Sequence, residues 1–516
     1  MTALAVFALG TSVLSSLFGQ LRWLRVAQRE HYMAGSVMRF AWRWWAGTPL
    51  NAALVGLALA GAACATVLPG AAIATAVVVT IGPVGLGLRG RTSRLAWTRR
   101  LRFLGVLAAL FEALFVGLGA LFGALSGAVT TAAFVAVAVP LLVDMALAVQ
   151  APFEDFLAQR YVRRASGLLG AVQPLVVGIT GSYGKTTTKN YIAYLLGGEH
   201  TVVASPRSFN NRAGLTRTVI EHLAPGTDVL VAEMGAYGPG EIAALCGWLH
   251  PEVAVITSIG PAHLERFGSL ERTLEAKAEI TKNARVVVLN VDDPRLHALA
   301  GDLEKDHKVV RASGADEASD VAVLAESEGL ELYVAGKPAG FAKLLADSLP
   351  PIRTNAACAA AVALELGMSP GAVASRLGSL PAVPNRLQPY RAAGGYLVLD
   401  DTFNANPAGA RHALDVLASA APAGRRVLVT PGMVELGSSQ RTENAALGEA
   451  AAGIVTDLVV VGRTNRAALV EGCRRLATSP SLRLVGRRES AVSWAQKELG
   501  PGDAVLFEND LPDHFL

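Results

Sequence analysis

The run Thr180-Gly181-Ser182-Tyr183-Gly184-Lys185-Thr186-Thr187 has the residue types and order that hold the phosphates of a nucleotide. A glycine-rich turn lets backbone N–H groups close around phosphate oxygens. A lysine then reaches the β- and γ-phosphates, and a hydroxyl holds Mg2+. The run departs from the general G-x-x-x-x-G-K-[ST] pattern at one place, where Ile179 stands for the first glycine. Further polar residues follow apolar runs. Glu233 closes Val229-Leu230-Val231-Ala232, His263 lies beyond Val253-Ala254-Val255-Ile256, and Asn290, Asp292 and Asp293 follow Val286-Val287-Val288-Leu289.

The elements that must position these groups are legible in the same runs. Leu175-Val176-Val177 reads as a strand ahead of the loop, and residues 189–196 as a helix after it. β-Branched runs separated by helix-like stretches predict a doubly wound parallel sheet, in which chemistry gathers at the carboxyl ends of the strands. A second alternation carries the strands Tyr396-Leu397-Val398-Leu399, Arg426-Val427-Leu428-Val429 and Leu458-Val459-Val460-Val461. It predicts a Rossmann-like last domain beginning after a boundary at 389–395. The expected fold class is α/β, with transmembrane helices over 1–150, a central ATP-binding domain over 151–390 and a C-terminal domain over 391–516.

Hydrophobic residues make up 52% of the chain and charged residues 17%, and the apolar excess is concentrated before residue 150. That distribution reads as membrane rather than as a larger core. The segments 3–18, 52–88 (interrupted at Pro69-Gly70), 104–125 and 129–149 predict about five spans. A span needs about 20 apolar residues, so the pair within 52–88 is short and could be re-entrant. The first segment lacks a basic n-region and carries Arg22, Arg25, Arg29, Arg39 and Arg43 on its C-terminal side, as an uncleaved anchor does rather than a signal peptide. A second basic group follows: Arg89, Arg91, Arg94, Arg99, Arg100 and Arg102. If both groups are cytoplasmic, the N-terminus is outside, and the chain from residue 150 onward, with Arg160, Arg163 and Arg164, is inside. A multi-pass protein of a bacterial-type inner membrane follows, with the phosphate loop where ATP is. Glu112 and Asp144 interrupt the last two segments, as in a polar transport pathway or near an interface. The net charge of +4 is too mild to argue for nucleic acid. Cys64, Cys246, Cys358 and Cys473 lie too far apart for a zinc ribbon or a disulfide framework.

The ordered motifs of residues 170–516 resemble those of the Mur ligase family, ATP-dependent enzymes that join a carboxylate to an amino acid or peptide amine, and most of all its D-alanyl-D-alanine-adding branch. They are T-G-S-Y-G-K-T-T at 180–187, S-F-N-N-R-A-G-L at 208–215, A-E-M-G-A at 232–236 and I-G-P-A-H-L-E-R-F-G-S at 259–269. A-K-A-E-I at 276–280, L-N-V-D-D-P at 289–294, V-P-N-R-L at 383–387, D-D-T-F-N-A-N-P at 400–407 and G-M-V-E-L-G at 432–437 complete the series. The resemblance implies ATP and two Mg2+ sites. Thr180, Gly181, Ser182, Gly184, Lys185, Thr186 and Thr187 would cradle the nucleotide, and Thr186, Glu233 and His263 would ligate metal. Lys185, Glu233, His263 and Lys277 would form the catalytic set. The lysine of the A-K motif is carbamylated in the family, which would make Lys277 a further metal ligand; beside Glu279 it also reads as a solvated helix lysine. Asn290 would contact adenine, while Arg386 and Asp401 would close over the nucleotide from the last domain. Asn404 and Asn406 would shape the site. Loop and capping roles remain open for all of these last five.

This sequence departs from the family pattern in three places. Membrane segments stand where a domain gripping a UDP-sugar is found. The pattern G-x-H-N-x-x-N is reduced to P-P-I-R-T-N at 350–355, without its histidine. K-G-S near the C-terminus is replaced by Phe507-Glu508-Asn509-Asp510, which removes a cation. The expected protein is thus a membrane-anchored ligase of cell-wall or envelope precursor synthesis. It would take ATP, a UDP-linked or lipid-linked carboxylate acceptor and an amino acid or dipeptide amine. Alternatives are D-alanyl-D-alanine addition with the spans as anchor only, poly-γ-glutamate-type polymer synthesis, the folate-polyglutamating branch, an ATP-driven transporter and an inactive scaffold.

Overall fold

The computed structural model describes residues 2–88, 95–344, 351–476 and 480–511. Arg89, Arg91 and Arg94 of the second basic group and Pro350 of P-P-I-R-T-N lie outside the described residues. The chain divides into two compact units, residues 1–159 and Arg160–Leu511, so the break falls later than the expected residue 150.

In the first unit the apolar segments form α1 (Thr2–Arg29), α2 (Ser36–Ala46), α3 (Pro49–Cys64), α4 (Gly70–Ile81) and α5 (Arg99–Val172). At 1.5 Å per residue α1 is about 42 Å long, enough to cross a hydrocarbon layer of about 30 Å, whereas α3 and α4 reach only about 24 and 18 Å. The described residues therefore contain two helices long and apolar enough to span, α1 and α5, or three if the bent pair α2 and α3 counts as one. The long α5 is itself broken at Gly123 and Ala124, whose backbones are non-helical. A Cβ built on Gly127 would lie 2.1 Å from the carbonyl oxygen of Gly119, so the two arms turn back on each other and meet at glycines. The expected second hairpin is thus present, with its turn a few residues earlier than Ser126-Gly127. Asp144 accepts from the backbone N–H groups of Val37 (3.2 Å) and Met38 (2.7 Å) at the start of α2. Glu112 accepts from Ser16 Oγ at 2.7 Å. Both acids have local structural partners.

The second unit holds two sheets. The first consists of β1 (Leu175–Thr180), β2 (Val202–Ala204), β3 (Val229–Glu233), β4 (Val253–Ile256), β5 (Val286–Asn290), β6 (Lys308–Ser313), β7 (Val321–Glu326), β8 (Gly329–Val334) and β9 (Lys337–Lys343), in the order β2-β3-β1-β4-β5-β6-β7-β8-β9. Every residue of β3, β4 and β5 is buried, the mark of a parallel sheet covered on both faces. Each fully buried valine or leucine there contributes about 1.5–3 kcal/mol. The Ala-rich helix Arg353–Glu365, buried continuously from Asn355 to Ala363, packs on this sheet beside β5, β6 and β7. The sheet is mixed rather than purely parallel: β7, β8 and β9 form an antiparallel meander.

The second sheet is β10 (Gln388–Arg391), β11 (Leu397–Asp401), β12 (Arg426–Thr430), β13 (Asp457–Val461), β14 (Ser481–Val485) and β15 (Ala504–Glu508), in the order β10-β11-β15-β12-β13-β14. All but β10 run parallel, as expected of a Rossmann-like domain. β10 falls inside the expected linker, because an edge strand of four residues with Pro389 in it carries little strand signal.

Candidate active site

β1 lies between β3 and β4, which brings three strand ends together: Ile179 is opposite Glu233, and Thr180 is opposite Ile256. The chain leaves β1 through the glycine-rich loop and enters α6 (Lys185–Leu196), whose N-cap, Gly184, makes no side-chain cap bond. The N–H groups of the first turn are therefore left for an anion. Two glycines are obligatory. Gly181 (φ +149°) leaves no room for a Cβ, which would lie 2.0 Å from Thr257 Oγ1, and Gly184 (φ +80°) would place one 2.5 Å from Asn355 Oδ1. Ser182 pins the loop to the segment after β4, accepting from Gly260 N–H at 2.9 Å and donating to the Gly260 carbonyl at 3.1 Å. Thr180 is fully buried. The Ser182 hydroxyl thus bonds within the loop, while Thr180 Oγ1 is buried without a hydrogen-bond partner among the described residues. Thr187 is buried and lines the adjoining cavity with Gly184 and Thr186.

Glu233 is the centre of a dry polar cluster. It is 1% exposed and accepts from Thr186 Oγ1 (2.9 Å), Lys189 Nζ (3.3 Å) and Asn210 Nδ2 (3.3 Å). Lys189 is equally buried and also donates to the Arg207 carbonyl. Sequence reasoning did not single out Lys189 or Asn210. The signal was there in Lys189, one helical turn after Lys185 on the same face. Asn210 belongs to the S-F-N-N-R-A-G-L run, whose next residue, Asn211, caps the helix Arg212–His222.

Lys185 donates to the carbonyls of Gly181 (2.6 Å) and Ser182 (3.3 Å), curled back on its own loop. Burial lowers its pKa against the attraction of Glu233. Lys277 is 4% exposed, lies over the Phe267 ring at 5.6 Å, and makes no ion pair among the described residues. Burial, with the nearby charge of Lys185, lowers its pKa to about 7. A solvated helix lysine is excluded. His263, at φ +57°, bonds through Nδ1 to Glu435 of the second lobe, and its ring meets Tyr237 edge-on at 5.0 Å. Glu435 comes from G-M-V-E-L-G, whose role the sequence left unassigned. The described residues contain no group of three or more His, Cys, Asp or Glu side chains able to hold a metal. The oxygens of Thr186 and Glu233 are hard donors suited to Mg2+, and a carbamate on Lys277 would add others.

A cavity of about 650 Å3 adjoins the loop, lined by Gly184, Thr186, Asn290, Arg386, Asp401 and Asn406 among others. Asn290 is already engaged at both ends of its amide, donating to the Thr257 carbonyl (2.8 Å) and accepting from Asp292 N–H (2.9 Å). Asp293 caps the helix Pro294–Leu303 and accepts from Ile259 N–H at 2.7 Å. Arg386 donates to the Asn404 carbonyl at 3.2 Å and lies over the Phe403 ring. Asn406 caps the helix Pro407–Ala420.

Asp401 and Glu508 are register partners at the ends of β11 and β15. Burial pushes Asp401 up to about 6 despite Arg386, and pushes Glu508 well above the usual carboxylate range. Among the described residues neither Glu508 oxygen has a conventional hydrogen-bond donor. Burial first, and then the neighbouring Asp401 charge, favour the protonated form of Glu508. The next residue, Asn509, takes a left-handed backbone (φ +67°) that asparagine tolerates where the family pattern has glycine.

The family model for the Mur ligase middle domain matches residues 179–363, and that for the Mur ligase glutamate ligase domain matches residues 385–508. The chain is 36% identical over 369 residues to the UDP-N-acetylmuramoyl-tripeptide--D-alanyl-D-alanine ligase of Mycobacterium leprae, a match covering 64% of this chain and 70% of that protein. A crystal structure of MurF from Acinetobacter baumannii superposes with a TM-score of 0.59 at 26% identity, over 68% of this chain and 77% of that one. MurF ligase from Thermotoga maritima in complex with ADP gives a TM-score of 0.59 at 27% identity, over 68% and 80%.

Proposed function

The chain belongs to the Mur ligase family, and from that premise we propose that it adds D-alanyl-D-alanine to UDP-N-acetylmuramoyl-tripeptide at the expense of ATP, the reaction named in its relatives. The observation that carries this reading is the phosphate loop with its first hydroxyl, Thr186, bonded to the buried Glu233 beside a cavity fit for a nucleotide.

An amide cannot form from a carboxylate at neutral pH without activation. The tripeptide carboxylate attacks the γ-phosphorus of ATP, giving an acyl phosphate and ADP. The dipeptide amine then attacks the acyl carbon, and phosphate leaves. Lys185 exchanges its loop carbonyls for phosphate oxygens, and the open N-terminus of α6 adds backbone donors. Thr186, Glu233 and a carbamylated Lys277 are the proposed Mg2+ ligands, with His263 positioned by Glu435. Mg2+, when bound, neutralises phosphate charge. A buried amine without a carboxylate partner favours its neutral form, the form that adds carbon dioxide to give a carbamate and a proton. Arg386 and Asp401 close on the nucleotide from the second lobe.

The apolar helices of residues 1–159 anchor this ligase in a membrane. With the arginine-rich segments cytoplasmic, α1 and the two arms of α5 cross, and the short α3–α4 pair either crosses or re-enters. Both cases leave the N-terminus outside and the ligase inside. A second reading, a lipid-linked acceptor, is favoured by the helices standing where the family has its UDP-sugar domain and by Glu508 standing where it has a cation. The test is ADP release by the full chain in detergent with D-alanyl-D-alanine and either the UDP-linked or the lipid-linked tripeptide. Turnover with the UDP-linked peptide is expected. Turnover with the lipid-linked peptide alone would move the assignment to the second reading, and release with neither would overturn both.

A further inference from the structure

His412 lies on the helix Pro407–Ala420 of the second lobe and lines the cavity that adjoins the phosphate loop. Its Nε2 is buried and has no hydrogen-bond partner among the described residues. The cavity wall reached through Pro351, Ile352, Leu377, Leu380 and Pro381 is apolar, the surroundings a purine ring takes. Gly184, Thr186 and Thr187 line the phosphate end of the same cavity. The segment 350–355, where the family pattern carries a histidine, has none in this chain. A buried nitrogen left without a partner is destabilising unless a ligand meets it.

We propose that His412 Nε2 reads the base of the nucleotide, accepting a hydrogen bond from the exocyclic amine of adenine, a specificity contact supplied from the opposite lobe. This rests on the nucleotide reading of the loop proposed above. Burial, aided by the positive charge of Arg353 and opposed by Asp415, lowers the His412 pKa and keeps the ring neutral, so that one of its nitrogens is an acceptor. Adenine presents a donor at its 6-position. Guanine and hypoxanthine present a carbonyl oxygen there, which would set one acceptor against another.

The test is displacement of a fluorescent ribose-labelled ADP from the full chain in detergent by ATP and by inosine triphosphate. The unaltered chain is expected to prefer ATP by about tenfold or more, the discrimination of a buried polar contact. In His412→Ala the preference falls to within about twofold while inosine triphosphate binds within about threefold of its original affinity, which a collapsed pocket would not allow. His412→Gln, which restores an acceptor, recovers part of the preference. An undiminished ATP preference in His412→Ala, or loss of both nucleotides together, overturns the proposal. Failure of the unaltered chain to bind either nucleotide overturns the nucleotide reading itself.

Discussion

Replacing Lys189 by methionine removes one charge from a site where neither partner meets water, the Lys189 and Glu233 side chains being 1% and 2% exposed. Methionine fills nearly the same volume, so packing is kept and the change is electrostatic. Deleting one member of a buried ion pair costs about 3–5 kcal/mol, because the survivor is left charged in a dry site. Glu233 keeps its bonds from Thr186 and Asn210, which places the expected loss at the lower end, about 3 kcal/mol. At roughly 2–4 °C per kcal/mol, the melting temperature of the ligase unit should fall by about 6–12 °C. The double variant Lys189→Met/Glu233→Gln, in which the stranded charge is also removed, should recover most of that loss. Magnesium gives a second readout: if Glu233 holds the metal, 10 mM Mg2+, roughly a cellular excess, should raise the melting temperature of the single variant more than that of the unaltered protein. A fall of less than about 2 °C, or no recovery in the double variant, would refute the picture of a dry pair at this site.

Three further outcomes are expected. Asp401 titrates near 6 in the folded chain, above its unfolded value of about 3.9, so its contribution to stability is full below about pH 4 and is lost as pH rises through about 6. Glu508, whose carboxyl burial also pushes up, loses stability in the same direction as pH rises, so Glu508→Gln should shrink the total loss in melts run from pH 4 to 8; an unchanged slope would show that Glu508 carries no raised pKa in the folded chain. Lys277→Ala should cut ligation about 100-fold, the scale of one lost charge stabiliser, with partial rescue by added short-chain carboxylates; an amine-only role for Lys277 predicts no rescue. Gly184→Ala meets Asn355 Oδ1 and a positive φ, and should abolish binding of fluorescent ADP while the unit still folds; retained binding would mean the loop is not the phosphate site.

What the sequence made legible was what leaves a periodic or contiguous trace. The all-apolar runs of β3, β4 and β5 and the polar residues ending them predicted the parallel sheet and the location of the site. β7 to β9 gave no such trace: β9 (Lys337–Lys343) is mostly exposed, and a one-sided meander has neither the alternation nor the hydrophobicity of a central strand. Side-chain partners were beyond reach for a different reason. Glu233 with Lys189 and Asn210, His263 with Glu435, and Asp401 with Glu508 join residues 23 to 172 positions apart, through contacts that only the folded chain brings about. Asn290, Asp292 and Asp293 were visible as strand-end polar residues, but the loop and capping bonds they make are not separated from ligand binding by residue type alone. Nor does an uncharged run show how many spans it holds, because it says how apolar a segment is and not where its helices stop.

The claim at the centre of this account is that a carboxylate is activated as an acyl phosphate. Incubating the full chain in detergent with ATP, D-alanyl-D-alanine and UDP-N-acetylmuramoyl-tripeptide carrying 18O at both oxygens of its reacting carboxylate tests it directly. One 18O is expected to pass to the inorganic phosphate for each amide formed, since the carboxylate oxygen that attacks phosphorus leaves with it. Amide formation accompanied by unlabelled phosphate would contradict it.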